Sequence, residues 1–323
     1  MGKIAFLFAG QGAQYPGMGK DLYEKIKEVK DLYDMADSIR PGTTGQCFEA
    51  DEEVLKQTEN TQPCLCLTDL ACARALNSRG IFADEVAGFS LGEIAAVAYS
   101  KALSDEDAFK LVCKRADAMA ECNKKYPGTM VAVLRADNEK LNELCDECRV
   151  YPVNYNCPGQ VSVAGKIHRI EKFKERLDKE GIRCVQLAVS GSFHTPYMKD
   201  ASDVLADTMK HMEFNKTKVP VYSNYTSKRY DVSDYEPSEL ISRQVSNSVK
   251  WEKILRRMYD NGCTTFVECG PGKTLSGFVK KTLRDKSDVE IYNFSDMESL
   301  DTVCDAILVN ALESIMKGML YVY

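Results

Sequence analysis

Val86-Ala87-Gly88-Phe89-Ser90-Leu91-Gly92-Glu93 passes from a short apolar run, through a serine flanked by glycines, into the apolar segment Ile94 to Ala102. The pattern predicts a strand, a tight turn and a buried helix. Within it, Gly88 to Gly92 matches G-x-S-x-G. A serine between strand and helix exposes its hydroxyl only on a sharp turn, and flanking glycines leave room for the close backbone. The helix that follows points unpaired N–H groups at the same spot, which favours developing negative charge. A second reading stays open from these residues alone. Ser90 with Glu93 three residues on also fits a capping box, in which the serine merely starts the helix.

Working outward, the chain repeats strand and helix. Lys3 to Phe8 reads as a buried strand, and its apolar run is shorter than the ~7–15 residues of a signal h-region. A glycine-rich turn, Gly10 to Gly19, follows it. Leu22, Ile26, Val29 and Leu32 are spaced for one helix face within Lys20 to Ile39. Thr61-Gln62-Pro63 opens a helix that Gly80 ends. Asp105 begins another helix, through Arg115 and Met119. This alternation predicts an α/β core with a mostly parallel sheet. The middle differs. Strands at Met130–Leu134, Val150–Asn154, Val161–Ala164 and Cys184–Val189 interleave with helices Asn138–Cys148 and Arg169–Lys179. That β-α-β-β-α-β order is the ferredoxin-like split motif. It predicts a small subdomain, 126–192, inserted in a large α/β domain made of 1–125 and 193–323. After it come a helix (Tyr197–Met212), a strand (Val219–Ser223), a helix near Trp251–Tyr259, a strand (Thr265–Glu268) and closing helix.

Composition narrows the function. The 323 residues are 44% hydrophobic and 28% charged, which excludes a disordered or collagen-like chain. A formal net charge of −6 argues against coating nucleic acid. No apolar run approaches the ~18 residues of a membrane span. Thirteen cysteines, an odd and scattered set, point to a reducing compartment, the cytoplasm.

A nucleophilic serine needs a base, and the chain has three histidines. His168 and His211 sit in charged helical contexts that read as surface. His194 lies in Ser190-Gly191-Ser192-Phe193-His194-Thr195-Pro196, a loop of small residues beside an aromatic, and loops often carry catalytic groups. The α/β-hydrolases place their histidine late in the chain. Here 112 residues follow even the last histidine, so that order is strained.

These landmarks together resemble the malonyl-CoA:acyl carrier protein transacylase family, with the acyltransferase domains of fatty acid and polyketide synthases. They are Phe8-Ala9-Gly10-Gln11-Gly12-Ala13-Gln14, Thr61-Gln62-Pro63, Gly88 to Glu93, and Arg115. Asn156-Cys157-Pro158-Gly159-Gln160, Ser192-Phe193-His194, Gln244 with Trp251, and Glu268-Cys269-Gly270-Pro271-Gly272-Lys273 complete the set. All stand in family order over nearly the whole chain. The resemblance implies a hydrolase-like domain carrying the ferredoxin-like insert. It implies Ser90 as nucleophile and His194 as base, the imidazole held by the backbone carbonyl of Gln244 in place of a triad acid. Backbone N–H groups of Gln11 and Leu91 form the oxyanion hole. Arg115 grips the free malonyl carboxylate, although by its charged neighbours alone it also reads as a surface arginine. Phe193, bulky before the histidine, goes with malonyl rather than methylmalonyl selection. The substrate is malonyl-CoA, with no permanently bound cofactor and no metal. The partner is phosphopantetheinylated acyl carrier protein, in fatty acid synthesis; a discrete acyltransferase of a polyketide assembly line and a serine thioesterase or esterase are the alternatives. Nucleic acid and membrane are not partners. Two positions depart from the family: Phe89 stands where most members have histidine, and Ala116 where glycine commonly follows the arginine.

Other signals carry less. Cys145-x-x-Cys148 lacks a second ligand pair for zinc. Gly270 to Thr274 resembles a P-loop tail, but Val267 replaces the required glycine. Gly10-Gln11-Gly12 fails G-x-G-x-x-G at Tyr15. An acidic carrier docking on an acidic chain needs a local basic patch, and Lys280-Lys281 with Arg284, or Lys179 with Arg183, are candidates.

Overall fold

The computed structural model describes residues 2–189 and 191–320; Met1, Ser190 and residues 321–323, which fall within the spans expected above, lie outside it. In chain order the strands are β1 (Lys3–Phe8), β2 (Glu85–Gly88), β3 (Gly128–Leu134), β4 (Tyr151–Cys157), β5 (Gln160–Lys166), β6 (Arg183–Gln186), β7 (Val221–Tyr222), β8 (Cys263–Cys269) and β9 (Glu290–Phe294). They form two sheets.

The first sheet has the order β7-β2-β1-β8-β9, and its neighbours are all parallel. Parallel sheets are covered on both faces, so their strands are apolar throughout. In β1, Phe6 and Phe8 face a core shared with the helices Thr58–Ser78, Gly92–Tyr99 and Asp105–Lys125. Ala5 and Leu7 point the other way, onto Trp251, Ile254 and Phe278 of the helices Trp251–Asp260 and Thr274–Thr282. Register aligns the strand ends: Phe8 lies opposite both Gly88 and Cys269. The loops that leave β1, β2 and β8 therefore emerge side by side, at the carboxyl ends where α/β sheets bind ligands.

The second sheet is antiparallel, with the order β4-β5-β3-β6. The helices Asn138–Cys148 and Ile167–Lys179 join its strands and pack Leu141, Leu144, Phe173 and Leu177 against Val131 and Val163. This is the expected β-α-β-β-α-β arrangement. Edge strand β4 also ties the insert to the main body. Tyr155 N–H donates to the Val249 carbonyl (2.9 Å), and Val249 N–H to the Val153 carbonyl (2.8 Å).

Several elements differ from expectation. Lys20 to Ile39 is two helices, Lys20–Lys25 and Lys27–Ile39. The break falls at Ile26, which adopts extended backbone (φ −121°, ψ 118°) while its side chain stays in the core. The helix expected to open at Thr61 starts at Thr58, with Pro63 inside it; that helix is buried on nearly all sides, and such burial overrides a proline in an early turn. Tyr197–Met212 is a short 3₁₀ turn, Pro196–Met198, followed by helix Lys199–Met209. The short helices Thr43–Glu49 and Glu52–Leu55 went unread, as did two longer or sheet-forming elements. The helix Pro237–Gln244 carried its own signal, a capping box of Glu236 and Glu239 with proline in the first turn. Strand β9 is a half-buried edge whose polar residues masked it.

Candidate active site

A turn of unusual tightness holds Ser90. A Cβ on Gly88 would lie 1.9 Å from the Gly92 carbonyl carbon, and one on Gly92 would lie 2.3 Å from the Phe8 carbonyl oxygen. Both glycines are therefore demanded by the helix packing onto the strand ends. Ser90 takes φ +54°, a left-handed value that costs a non-glycine residue about 1–3 kcal/mol. Asn224, just beyond β7, clamps the turn from both sides. Its Oδ1 accepts from Ser90 N–H (2.7 Å), and its Nδ2 donates to the Gly88 carbonyl (2.7 Å). The capping-box reading falls here. Helix Gly92–Tyr99 has no side-chain cap, and Glu93 turns inward.

His194 stands 104 residues on and also takes positive φ (+60°). Its Nδ1 lies 2.9 Å from the Gln244 carbonyl oxygen, and its Nε2 2.7 Å from Ser90 Oγ. A carbonyl only accepts, so Nδ1 carries the proton and Nε2 is free to accept from the serine hydroxyl. Burial, then the positive charge of Arg115, lowers the imidazole pKa to about 4, against the raising effect of the Gln244 carbonyl. The ring is neutral near pH 7.

Arg115 is fully buried on helix Asp105–Lys125, not on the surface. Its Nη2 donates to Ser90 Oγ (3.1 Å) and to Gln244 Oε1 (3.0 Å), and its Nη1 to Gln62 Oε1 (2.6 Å). Among the described residues Nε has no partner. Burial lowers the guanidinium pKa to about 10, opposed by Glu93, so it remains a cation. The side chains of Ser90, His194 and Arg115 thus meet at one oxygen, Ser90 Oγ, in a cavity of about 260 Å³ between the two sheets. The main body supplies one wall. Met130, Ala132, Asn154, Asn156 and Ser162 of the insert supply the other. Phe193 is buried and lines it. Gln11 and Leu91 line it as well, and neither backbone N–H finds an acceptor among the described residues. Phe89 packs edge-on against Trp251 (5.4 Å between centroids) and beside Phe278, making that side of the cavity apolar.

His168 and His211 are exposed, as their contexts indicated. All thirteen cysteines are free, and no group of three or more His, Cys, Asp or Glu among the described residues could hold a metal ion. Sequence reading missed part of the site. Gln62 entered only as a landmark, Gln244 only for its backbone, and Asn224 and Tyr230 not at all. Glu93 gave a signal that went to the helix cap: it is a lone charge in the apolar run Leu91 to Ala98.

Parallel strands, a serine on a strained turn at their carboxyl ends and an imidazole on its hydroxyl define the class, an α/β protein with nucleophile-elbow geometry. The family model described as "Acyl transferase domain" matches residues 5–297, and the chain belongs to that family. It is 37% identical over 310 residues to the malonyl CoA-acyl carrier protein transacylase of Bacillus subtilis (strain 168), covering 93% of this chain and 96% of that protein. The crystal structure of malonyl CoA-acyl carrier protein transacylase from Clostridium perfringens superposes with a TM-score of 0.91 at 35% identity, covering 98% of this chain and 99% of that one. A second similar structure, a malonyl-transacylase in complex with a type II PKS acyl-carrier protein, has a TM-score of 0.86 at 30% identity, with 94% of this chain and 99% of that one covered.

Proposed function

We propose that this chain transfers the malonyl group from malonyl-CoA to the phosphopantetheine thiol of an acyl carrier protein, in fatty acid synthesis. One observation carries the reading: a buried arginine donates to the same oxygen that the imidazole contacts. A cation one hydrogen bond from the nucleophile suits an acyl group that ends in a carboxylate. A hydrolase of uncharged acyl groups gains nothing from it. The relatives named above as malonyl CoA-acyl carrier protein transacylases support the same assignment.

In this reading Ser90 Oγ attacks the thioester carbonyl carbon as its proton passes to His194 Nε2. The oxyanion meets the N–H groups of Gln11 and Leu91, donors of a kind worth roughly 2.7–4 kcal/mol each in the transition state. The C–S bond breaks, the coenzyme A sulfur takes the proton from the imidazolium, and a malonyl-serine ester remains. The carrier's thiol then gives its proton to Nε2 and attacks the ester. Ser90 recovers that proton as the new thioester leaves. The Gln244 carbonyl keeps Nδ1 protonated throughout. Arg115 takes the free carboxylate, with its fork, including Nε, suited to two parallel bonds. Phe193 stands over the α-carbon and disfavours a methyl branch.

The domain division at 1–125 with 193–323 and 126–192 serves this chemistry by giving the cavity two walls. Lys280, Lys281 and Arg284 are the docking patch we favour. They are exposed on or just after the helix Thr274–Thr282, whose first turns line the cavity. Free thiols accord with a cytoplasmic site of action, and no helix among the described residues is long and apolar enough to cross a membrane. The chemistry needs no resident cofactor. The complex of a similar transacylase with a type II PKS carrier favours one second reading, the same transfer onto a polyketide carrier.

Intact mass after incubation with malonyl-CoA, with and without carrier, tests the proposal. A malonyl adduct lost in Ser90→Ala and passed to the carrier is expected. Turnover to free malonate points to a hydrolase, and neither adduct nor turnover removes the enzymatic reading. Competition with methylmalonyl-CoA tests Phe193, and comparable rates remove its role.

A further inference from the structure

The transfer steps leave Glu93 without a task, although it is fully buried beside the site. Three donors converge on its carboxylate. Tyr230 O–H reaches Oε1 (2.7 Å), while Asn224 N–H (3.0 Å) and Gln244 Nε2–H (2.9 Å) reach Oε2. The Gln244 amide has two further contacts. Its Nε2 donates to the Ser90 carbonyl (2.6 Å), and its Oε1 accepts from Arg115 Nη2 (3.0 Å). An ionised carboxylate can only accept, and so can the Ser90 carbonyl, so the two together dictate that the NH₂ end of the amide faces them. The oxygen end is thereby turned to Arg115. The reversed amide would set NH₂ against guanidinium, donor against donor, in a place closed to water. Unpaired buried donors are costly.

We infer that Glu93 is a positioning residue for substrate choice: by fixing the orientation of the Gln244 amide it holds Arg115 beside Ser90 Oγ, and so sets the preference for an acyl group bearing a carboxylate over an uncharged one. The inference rests on the malonyl-transfer reading. Glu93 reaches the substrate only through Gln244 and Arg115. It also holds the N–H of Asn224, whose side chain clamps the serine turn, so the test must preserve its size.

Glu93→Gln does so and removes the charge: whichever end of its amide turns toward Asn224 N–H and Gln244, the charge-assisted bond to Gln244 Nε2–H is weakened to a neutral one or lost, and the Ser90 carbonyl is left as the main acceptor holding that amide. Acyl-serine formation is followed at pH 8, above the value of about 7 to which burial raises the Glu93 carboxyl. KM for malonyl-CoA is expected to rise about tenfold with kcat little changed, while acetyl-CoA parameters stay within about twofold. Gln244→Met keeps the backbone carbonyl for His194 but removes the amide. It should lose the same selectivity, and the double variant should be no worse than either single one. An unchanged malonyl-to-acetyl ratio, an equal loss for both substrates, or additive effects overturn the inference. If Glu93→Gln does not fold, Gln244→Met decides alone by the same ratio. A wild-type protein with no malonyl preference sinks the malonyl reading. A wild-type preference that survives in the variants sinks only this inference.

Discussion

Arg115 shows how one residue type changes meaning with burial. Beside Lys114 and Asp117 it has the neighbours of a solvated helix face, yet it lies inside, with donors on Gln62, Gln244 and Ser90. Arg115→Ala should therefore cost malonyl transfer about 2–3 kcal/mol, roughly 30- to 150-fold in kcat/KM, because a buried charge-assisted bond is lost. Transfer of acetyl should fall far less, and equal losses measured side by side would refute the carboxylate role. His194 makes a second prediction at this scale. Only the neutral imidazole accepts the serine proton, and burial with Arg115 lowers its pKa to about 4. Acylation by acetyl-CoA, whose acyl group needs no cation, should hold level down to about pH 5. Below about pH 4 it should fall tenfold per unit. A break near the ordinary imidazole value of about 6.5 would show a solvated ring. Among single residues, the contacting pair Ser90 and His194 was legible because few candidates competed: of three histidines, one stood beside an aromatic in a loop of small residues. Gln62, Asn224 and Tyr230 were not, since an amide or phenol has no role until a partner faces it.

At the scale of elements, the glycines around Ser90 belong to packing as much as to the turn. Gly92→Ala pushes a Cβ into the Phe8 carbonyl, and backbone cannot yield as a side chain does. We expect at least about 2 kcal/mol of destabilisation, read as a lower Tm, together with lost malonyl labelling of Ser90. Gly45→Ala, where a Cβ in helix Thr43–Glu49 meets open space, should instead leave stability level or raise it by about 0.5–1 kcal/mol. Matching thermal melts for the two would remove the steric argument. Strands and helices were read well where burial and periodicity agreed, as in β1 and helix Asn138–Cys148, both found at their expected bounds. Reading failed at Ile26, where an unbroken helical period hides a break that serves the core. It failed again at β9, an edge strand whose first four residues are only half-buried.

For the whole molecule, charge sets a problem that only placement answers. The chain carries a net charge of −6, and an acidic carrier would be repelled at long range. Lys280, Lys281 and Arg284 lie at the end of the helix Thr274–Thr282 and just beyond it, where Lys281 Nζ donates to Gln160 of the cavity lining (2.9 Å), whereas Lys179 and Arg183 lie on the insert. Raising salt from about 50 to about 500 mM should slow transfer to the carrier while leaving acyl-serine formation nearly unchanged, since surface charge is screened over about a Debye length and the buried site is not. Reversing Lys281 to Glu should reproduce the loss at low salt. Equal salt sensitivity of both steps would dismiss docking by charge.

The sequence by itself determined the alternation of strand and helix, the split motif in the middle, the serine on its turn and the histidine set among small residues beside an aromatic. Those are local facts, set by periodicity, glycine geometry and scarcity. Only the tertiary structure decided that Arg115 is inside, that Glu93 is no helix cap, and that Gln244 serves with both its backbone and its amide. Each depends on groups brought from 50 to more than 150 residues away. A buried polar group takes its meaning from the partner that satisfies it, and in this chain those partners are neighbours in space alone.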